Sequence, residues 1–320
     1  MGRERSVLRN LGYVAIALAI ESATNRTCRL KNATPDRLRA LIEGNLCELE
    51  RVLHYNVEQG IFLYRASSEM IPFASHPVNE VRWWEEHAER FARMGALIRS
   101  SGQRVTMHPG QFTVLNSPRA EVVKGAIEEL AWHVRLLDAL GTGPASKIIL
   151  HVGGTFGDKA AALARFASVA ADLPEDWRAR IVVENDEHQF GPEDVLELSE
   201  RTGLPMVYDN LHDQVFSKRD DGPARYLRDV FATWKGRDGG PKVHYSEQAE
   251  GGRVGAHSDR IAVGPFLRFL EQTPADIAFD VMLECKHKDL ALRQLREELA
   301  ARGVVEAGRA AAVAQELALR

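Results

Sequence analysis

Arg104-Val105-Thr106-Met107-His108-Pro109-Gly110-Gln111-Phe112 combines a short apolar run, a histidine and a turn. Val105 to Met107 is a short run suited to a buried parallel strand. It stops at His108, and Pro109-Gly110 forces a turn. A histidine that ends a buried strand just before such a turn is aimed into a site from rigid scaffold, while Gln111 and Phe112 ride out on the loop.

Working outward, the same device recurs along the whole chain. Leu11–Leu18 reads as a first strand and Ile61–Tyr64 as a second, ending in Arg65. Lys147–Val152 delivers His151 ahead of Gly153-Gly154. Ile181–Val183 ends in Glu184, and Met206–Tyr208 ends in Asp209 with His212 three residues on. Lys242–Tyr245 carries Lys242 and His244, and Phe279–Leu283 ends in Glu284. Helical patterns lie between these runs. Thr34-Pro35 opens one that lasts to Gly60, since threonine caps and proline suits the first turn. Val81–Ile98 reads as the next, and Ser117-Pro118 is expected to cap one reaching Leu140. Further helices are expected at Ala160–Ala171, Pro192–Thr202, Arg225–Trp234, around Phe266 and Leu270, and at Leu290–Leu299. Strict alternation implies a parallel sheet, and eight repeats imply closure into a single (β/α)8 TIM barrel. Barrels of about 250 residues are routinely one domain. We therefore assign 1–303 to the barrel and 304–320 to a helical or partly disordered tail. A doubly wound sheet is the architectural alternative, but the first turn has no Gly-x-Gly-x-x-Gly, so no dinucleotide cofactor is expected.

Composition narrows the class. The 320 residues carry 41 basic and 45 acidic side chains, a net charge of −4, which argues against coating nucleic acid by bulk charge. It leaves room for a local basic groove or bound cations. Three scattered cysteines, Cys28, Cys47 and Cys285, make no disulfide framework and predict a reducing, cytoplasmic compartment. Arg3 and Arg5 before an apolar Leu11–Ile20 loosely resemble a secretory signal, and Met1-Gly2 with Ser6 a myristoylation site; a first barrel strand is the better reading. No apolar run approaches the roughly 18 residues of a membrane-spanning helix.

In a barrel all strand C-termini open on one face, where the active site lies. This chain places His108, His151, Glu184, Asp209, His212, Lys242, His244 and Glu284 there, with His76 and His257 on adjoining loops. Any one strand-end histidine is more often a hydrogen-bonded loop residue. The set is different, because only His54, His87 and His133 fall on helices, where a structural or solvated role is expected. Six imidazoles with three carboxylates suit Mn²⁺, Zn²⁺ or Fe²⁺ better than Mg²⁺ or Ca²⁺. Such a site serves in-line phosphoryl displacement or the polarisation of a sugar carbonyl. On the residues alone, a phosphodiesterase or nuclease and a metal-dependent sugar isomerase both stand.

Leu11-Gly12-Tyr13-Val14, Pro72-Phe73-Ala74-Ser75-His76-Pro77, His108-Pro109-Gly110-Gln111-Phe112, His151-Val152-Gly153-Gly154, Glu184-Asn185-Asp186 and Pro241-Lys242-Val243-His244 together resemble the UV damage endonuclease family. The likeness runs from Leu11 to about Leu295. It implies a TIM barrel related to endonuclease IV, acting as a monomer on UV-damaged double-stranded DNA. The family incises 5′ of cyclobutane pyrimidine dimers and 6-4 photoproducts, leaving 3′-hydroxyl and 5′-phosphate ends. By resemblance, two or three divalent ions of the Mn²⁺ type fall on His76, His108, His151, Glu184, Asp209, His212, His244, His257 and Glu284. Glu184, Glu284 and Lys242 take the catalytic roles, with Lys242 as the family's carboxylated lysine. Gln111 and Phe112 match its lesion-probing pair, and Tyr13 its lesion-contacting aromatic. The asparagine that usually follows this aromatic is absent, since Val14–Leu18 reads Val-Ala-Ile-Ala-Leu.

Overall fold

The computed structural model describes residues 7–218 and 222–309. Its strands are β1 (Leu8–Val14), β2 (Leu63–Arg65), β3 (Arg104–Thr106), β4 (Ile148–His151), β5 (Ile181–Glu184), β6 (Met206–Asp209), β7 (Lys242–Tyr245) and β8 (Phe279–Leu283). They run parallel in the order β3-β2-β1-β8-β7-β6-β5-β4. Met107, one residue past β3, closes the ring: its N–H donates to the Lys147 carbonyl and its carbonyl accepts from Ile149, both at 2.9 Å. Helices follow the strands and pack outside, so the chain is a (β/α)8 barrel.

Side chains alternate across a strand, and that period of two places the site. Ile149, Val182 and Val207 form an interior cluster with Trp234, separate from the main core between sheet and helices. Two residues further along β4, β5 and β6 come His151, Glu184 and Asp209, on the same inward face at the mouth. Lys242 and His244 on β7 obey the same rule, as do Met282 and Glu284 at the end of β8. Cα pairing of His151 with Glu184 and of Asp209 with His244 brings these residues to one level.

Several boundaries differ from the sequence pattern. The first strand occupies Leu8–Val14, not Leu11–Leu18, because Ala15 turns to a left-handed φ of 67°. The Ala15 carbonyl accepts from the Tyr64 hydroxyl at 2.6 Å and the Thr24 hydroxyl at 3.0 Å, which holds that turn. The Val81–Ile98 pattern is broken at His87 into Trp83–Glu86 and Ala88–Ser101. Ser117 takes the Arg119 amide instead of capping the helix, which starts at Ala120. Thr34 does cap its helix, accepting from Arg37. A further helix occupies Asn210–Ser217, and Asp209 caps it by accepting the His212 amide at 2.8 Å. Beyond Gly303 the chain remains stitched to the barrel. Glu306 is buried, accepts from the Leu11 amide at 2.7 Å and pairs with Arg296. Residues 310–320 and the N-terminal Met1–Ser6 patterns lie outside the described residues.

Candidate metal centre at the barrel mouth

Glu184 stands at the centre of the mouth. It is wholly buried, with Oε2 2.8 Å from His108 Nε2 and Oε1 2.6 Å from His244 Nδ1. His151 Nε2 lies 3.6 Å from Oε2, and His212 Nδ1 3.9 Å from Oε1. Glu284 reaches in from β8, 3.1 Å from His244 Nδ1, and His257 Nδ1 is 3.9 Å from its other oxygen. Donor atoms of Glu184, Asp209, His244 and Glu284 all lie within 4.8 Å of one another, as do those of His108, Glu184 and His244.

The donor set suits bound cations. His108 Nδ1 is 3.1 Å from the Pro109 carbonyl, and His212 Nδ1 is 3.0 Å from that of Asn185. An N–H donated to a backbone carbonyl fixes the tautomer and turns the Nε2 lone pair toward the site, the usual support for a metal-binding imidazole. Asn185 also braces Asp209, donating to its carbonyl at 3.0 Å and accepting its amide at 2.9 Å. Asp209 Oδ2, His244 Nε2, His151 Nδ1 and Lys242 Nζ are buried with no hydrogen-bond partner. Orphaned buried polar atoms are costly, and four around one cluster mark a place built for a further ligand.

Charge balance agrees. Burial alone would raise Glu184, yet the imidazoles of His244, His151 and His108 hold it well below the usual carboxylate range. Burial, added to by Glu184 and Glu284, pushes Asp209 up to about 7 despite His212. Burial opposes the charge on His212, but Asp209, Glu184 and Glu284 pull it up to about 10. Burial drops His108 to about 4, so it stands as a neutral ligand at neutral pH. Among the described residues, three buried carboxylates share only Arg65 as a permanent cation in direct contact, its Nη1 2.5 Å from Glu284. With His212 charged as well, two cations face three carboxylates.

Not every expected residue joins the cluster. His76 is exposed on its loop, where its Nδ1 accepts the Val78 amide at 3.0 Å, and no cluster atom contacts it. Tyr13 requires a correction. It is fully buried, packs on Tyr64 at 5.3 Å, and donates its hydroxyl to Asn56 at 2.7 Å. Alternation along β1 sends Tyr13 outward to the helices and Val14 inward, so Tyr13 presents nothing to a lesion. Lys242 is buried and unpartnered, as alternation with His244 requires. Gln111 and Phe112 stand out on the turn, Phe112 with 71% of its surface exposed. Near the rim, Arg65 pairs with Glu284 and Lys286 with Asp259. A cleft of about 410 Å³ opens beside the cluster, bounded by Ala15, Asn25, Arg65 to Glu69, His108 to Gln111 and His257. Asn25, Ser67 and Ser68 gave no sequence signal, because small polar loop residues are common everywhere.

A UV DNA damage endonuclease of Clostridium perfringens is 35% identical over 282 residues, covering 88% of this chain and 68% of its own length. The UV-endonuclease UvdE family model matches residues 9–314. The chain belongs to the UV-endonuclease UvdE family. It is thereby an endonuclease, a hydrolase of phosphodiester bonds. A second family member, the UV DNA damage endonuclease of Bacillus velezensis, is 34% identical over 310 residues, covering 93% of this chain and 96% of the relative. The crystal structure of SacUVDE superposes with a TM-score of 0.86 at 34% identity, covering 93% of this chain and all of that one. The UvdE barrel thus carries its buried His and Glu cluster at the C-terminal mouth, beside an open cleft.

Proposed function

We propose that this UvdE chain is a metal-dependent DNA repair endonuclease that incises the phosphodiester 5′ of UV photoproducts in duplex DNA, leaving a 3′-hydroxyl and a 5′-phosphate. The carrying observation is the buried set Glu184, Asp209, His244 and Glu284, whose donor atoms lie within 4.8 Å of one another. His108, His151, His212 and His257 complete the donors, and His76 joins only by movement of its loop. Two or three divalent ions of the Mn²⁺ type held there would activate the attacking water and stabilise the leaving oxygen. Glu184 and Glu284, reaching in from β5 and β8, would be among the residues that hold such ions. The cleft beside His108 would receive the damaged dinucleotide, and Gln111 with Phe112 would fill the gap it leaves in the stack.

Lys242 fits the same reading. Burial, then Arg104 and Arg65, hold its amine well below its ordinary value, which favours the uncharged form. A neutral, unpartnered amine adds carbon dioxide to form a carbamate with loss of a proton, which would present one negative charge shared by two oxygens toward the cluster. The protein would act as a monomer in the cytoplasm, and no helix among the described residues is long and apolar enough to cross a membrane.

The test is incision of irradiated and unirradiated supercoiled plasmid in the presence of Mn²⁺. Nicking confined to irradiated plasmid is expected. Equal nicking of both, or none, overturns the proposal.

A further inference from the structure

Phe156 is a bulky apolar side chain that the cluster does not use. It sits on the loop after β4, with 51% of its surface exposed and a left-handed φ of 53°. A phenylalanine in that region is strained and persists only where its surroundings hold it. They do so here. The Arg165 guanidinium lies 5.6 Å from the ring centroid, and a side chain at Gly154 would press on the ring at 3.2 Å. Arg165 Nε also donates to the Asn116 carbonyl at 2.8 Å, and Asn116 Nδ2 donates to the Gly154 carbonyl at 2.9 Å. Gly153 approaches Asn116 so closely that a Cβ there would meet its Oδ1 at 2.5 Å. The loop bearing Phe156 is thus cross-braced to the loop bearing Phe112. Two exposed phenylalanines stand on one rigid pair of loops at the same barrel mouth.

Their order around the mouth assigns them different strands. The cleft is bounded by the loops after β1 and β2 and by the His108–Gln111 turn, and its floor reaches His151, His212, His257 and Glu284. Phe156, on the loop after β4, lies beyond that turn. A lesion drawn into the cleft leaves its complementary bases on the far side of the Phe112 wedge. We infer that Phe156 is a stacking platform for the unpaired nucleobases opposite the lesion, with Arg165 supporting the ring from behind. A π-face with a cation behind it accepts any base, so the contact is sequence-tolerant. This rests on the damaged-DNA reading above, and deepens it by giving the undamaged strand a binding site.

The test compares Phe156→Ala and Phe156→Trp with the unaltered Mn²⁺-loaded protein. Binding is measured on a duplex with one pyrimidine dimer, and on the same duplex with abasic sites at the two positions opposite. The Ala variant should bind the normal lesion duplex roughly ten-fold more weakly, the loss expected for one stacked base. On the abasic duplex it should match the unaltered protein, and Phe156→Trp should bind both like the unaltered protein. Metal content and melting temperature should stay unchanged, since the ring is half in solvent. An Ala variant that binds the normal lesion duplex fully, or that loses equally on both duplexes, overturns the inference. An unaltered protein that fails to prefer dimer over intact duplex overturns the endonuclease reading and this inference with it.

Discussion

Asp280→Asn should destabilise the barrel by about 3–5 kcal/mol, the cost of breaking a buried ion pair. Asp280 is wholly buried at the end of the barrel opposite the mouth. Its carboxylate accepts from Arg9 Nε at 2.7 Å, from Asn10 Nδ2 at 2.9 Å and from Arg104 Nη1 at 2.9 Å. Arg104 is itself buried and donates to the carbonyls of Ala145, Gly240 and Asp238. One carboxylate therefore ties β8 to β1 and β3, and through Arg104 to the loop before β7. Asparagine keeps the shape but leaves two guanidinium groups without their counter-charge. At about 2 °C per kcal/mol for a large domain, the melting temperature should fall by about 6–10 °C. The pH dependence has a definite sign. Burial would raise the Asp280 carboxyl, but Arg9 and Arg104 hold it below its ordinary value. Its contribution is therefore full above the unfolded value of about 3.9 and is lost as pH falls through the lower folded value. The gap between parent and variant should be flat from pH 7 to about 5 and close in stronger acid. The assay is urea unfolding across pH. A variant as stable as the parent at pH 7 would refute the reasoning.

Four further outcomes bear on the site. Glu184→Gln or Glu284→Gln should abolish incision and lower bound metal while the fold persists; full incision with reduced metal would remove these residues from the essential set. Chelation should silence the enzyme and Mn²⁺ should restore it, with metal content followed independently by elemental analysis. Isotope-labelled bicarbonate should give a carbamate carbon signal that Lys242→Ala removes; a parent spectrum without it speaks for a plain amine. Replacing Gln111 and Phe112 together by alanine should leave metal content and stability unchanged, since both are exposed, while lesion binding falls by roughly 1–3 kcal/mol. Unchanged binding would put the wedge elsewhere on the rim.

The places of the strand-end residues at the mouth were legible from where the short apolar runs stop. Short apolar runs such as Ile181–Val183 mark buried strands, and the polar residue that ends each run is at the mouth by the geometry of any parallel barrel. Pro192–Thr202, β7 and β8 were legible to the residue. What the sequence hid was orientation and pairing. Tyr13 follows Gly12 in an apolar strand, and nothing local says which face it takes; β1 begins three residues earlier than its pattern because Leu8 pairs with Phe279 across the ring. Arg65 reads as a free rim cation, yet its partner Glu284 lies 219 residues away. The Phe156 loop likewise depends on Asn116 and Arg165, contacts that no window of sequence contains.

The two ends of the barrel solve the same electrostatic problem in opposite ways. At the closed end, Asp280 meets two arginines, and its oxygens and the Arg104 nitrogens are saturated by partners the chain supplies. At the mouth, Glu184, Asp209 and Glu284 are as deeply buried, yet the chain supplies one guanidinium and a set of imidazoles. Imidazoles are weak counter-charges when burial opposes their protonation, as it does for His108 and His244. Among the described residues, Lys242 could have balanced the mouth, since alternation with His244 gives it the right face. Burial and the nearby arginines instead strip its charge. The fold thus spends its permanent cations where they hold strands together and withholds them where external cations are to bind. A lysine or arginine brought into the mouth, for example by Asp209→Lys, would neutralise the cluster from within. The variant should bind no metal, and its melting temperature should fall, because the His212 amide that Asp209 accepts loses its helix cap.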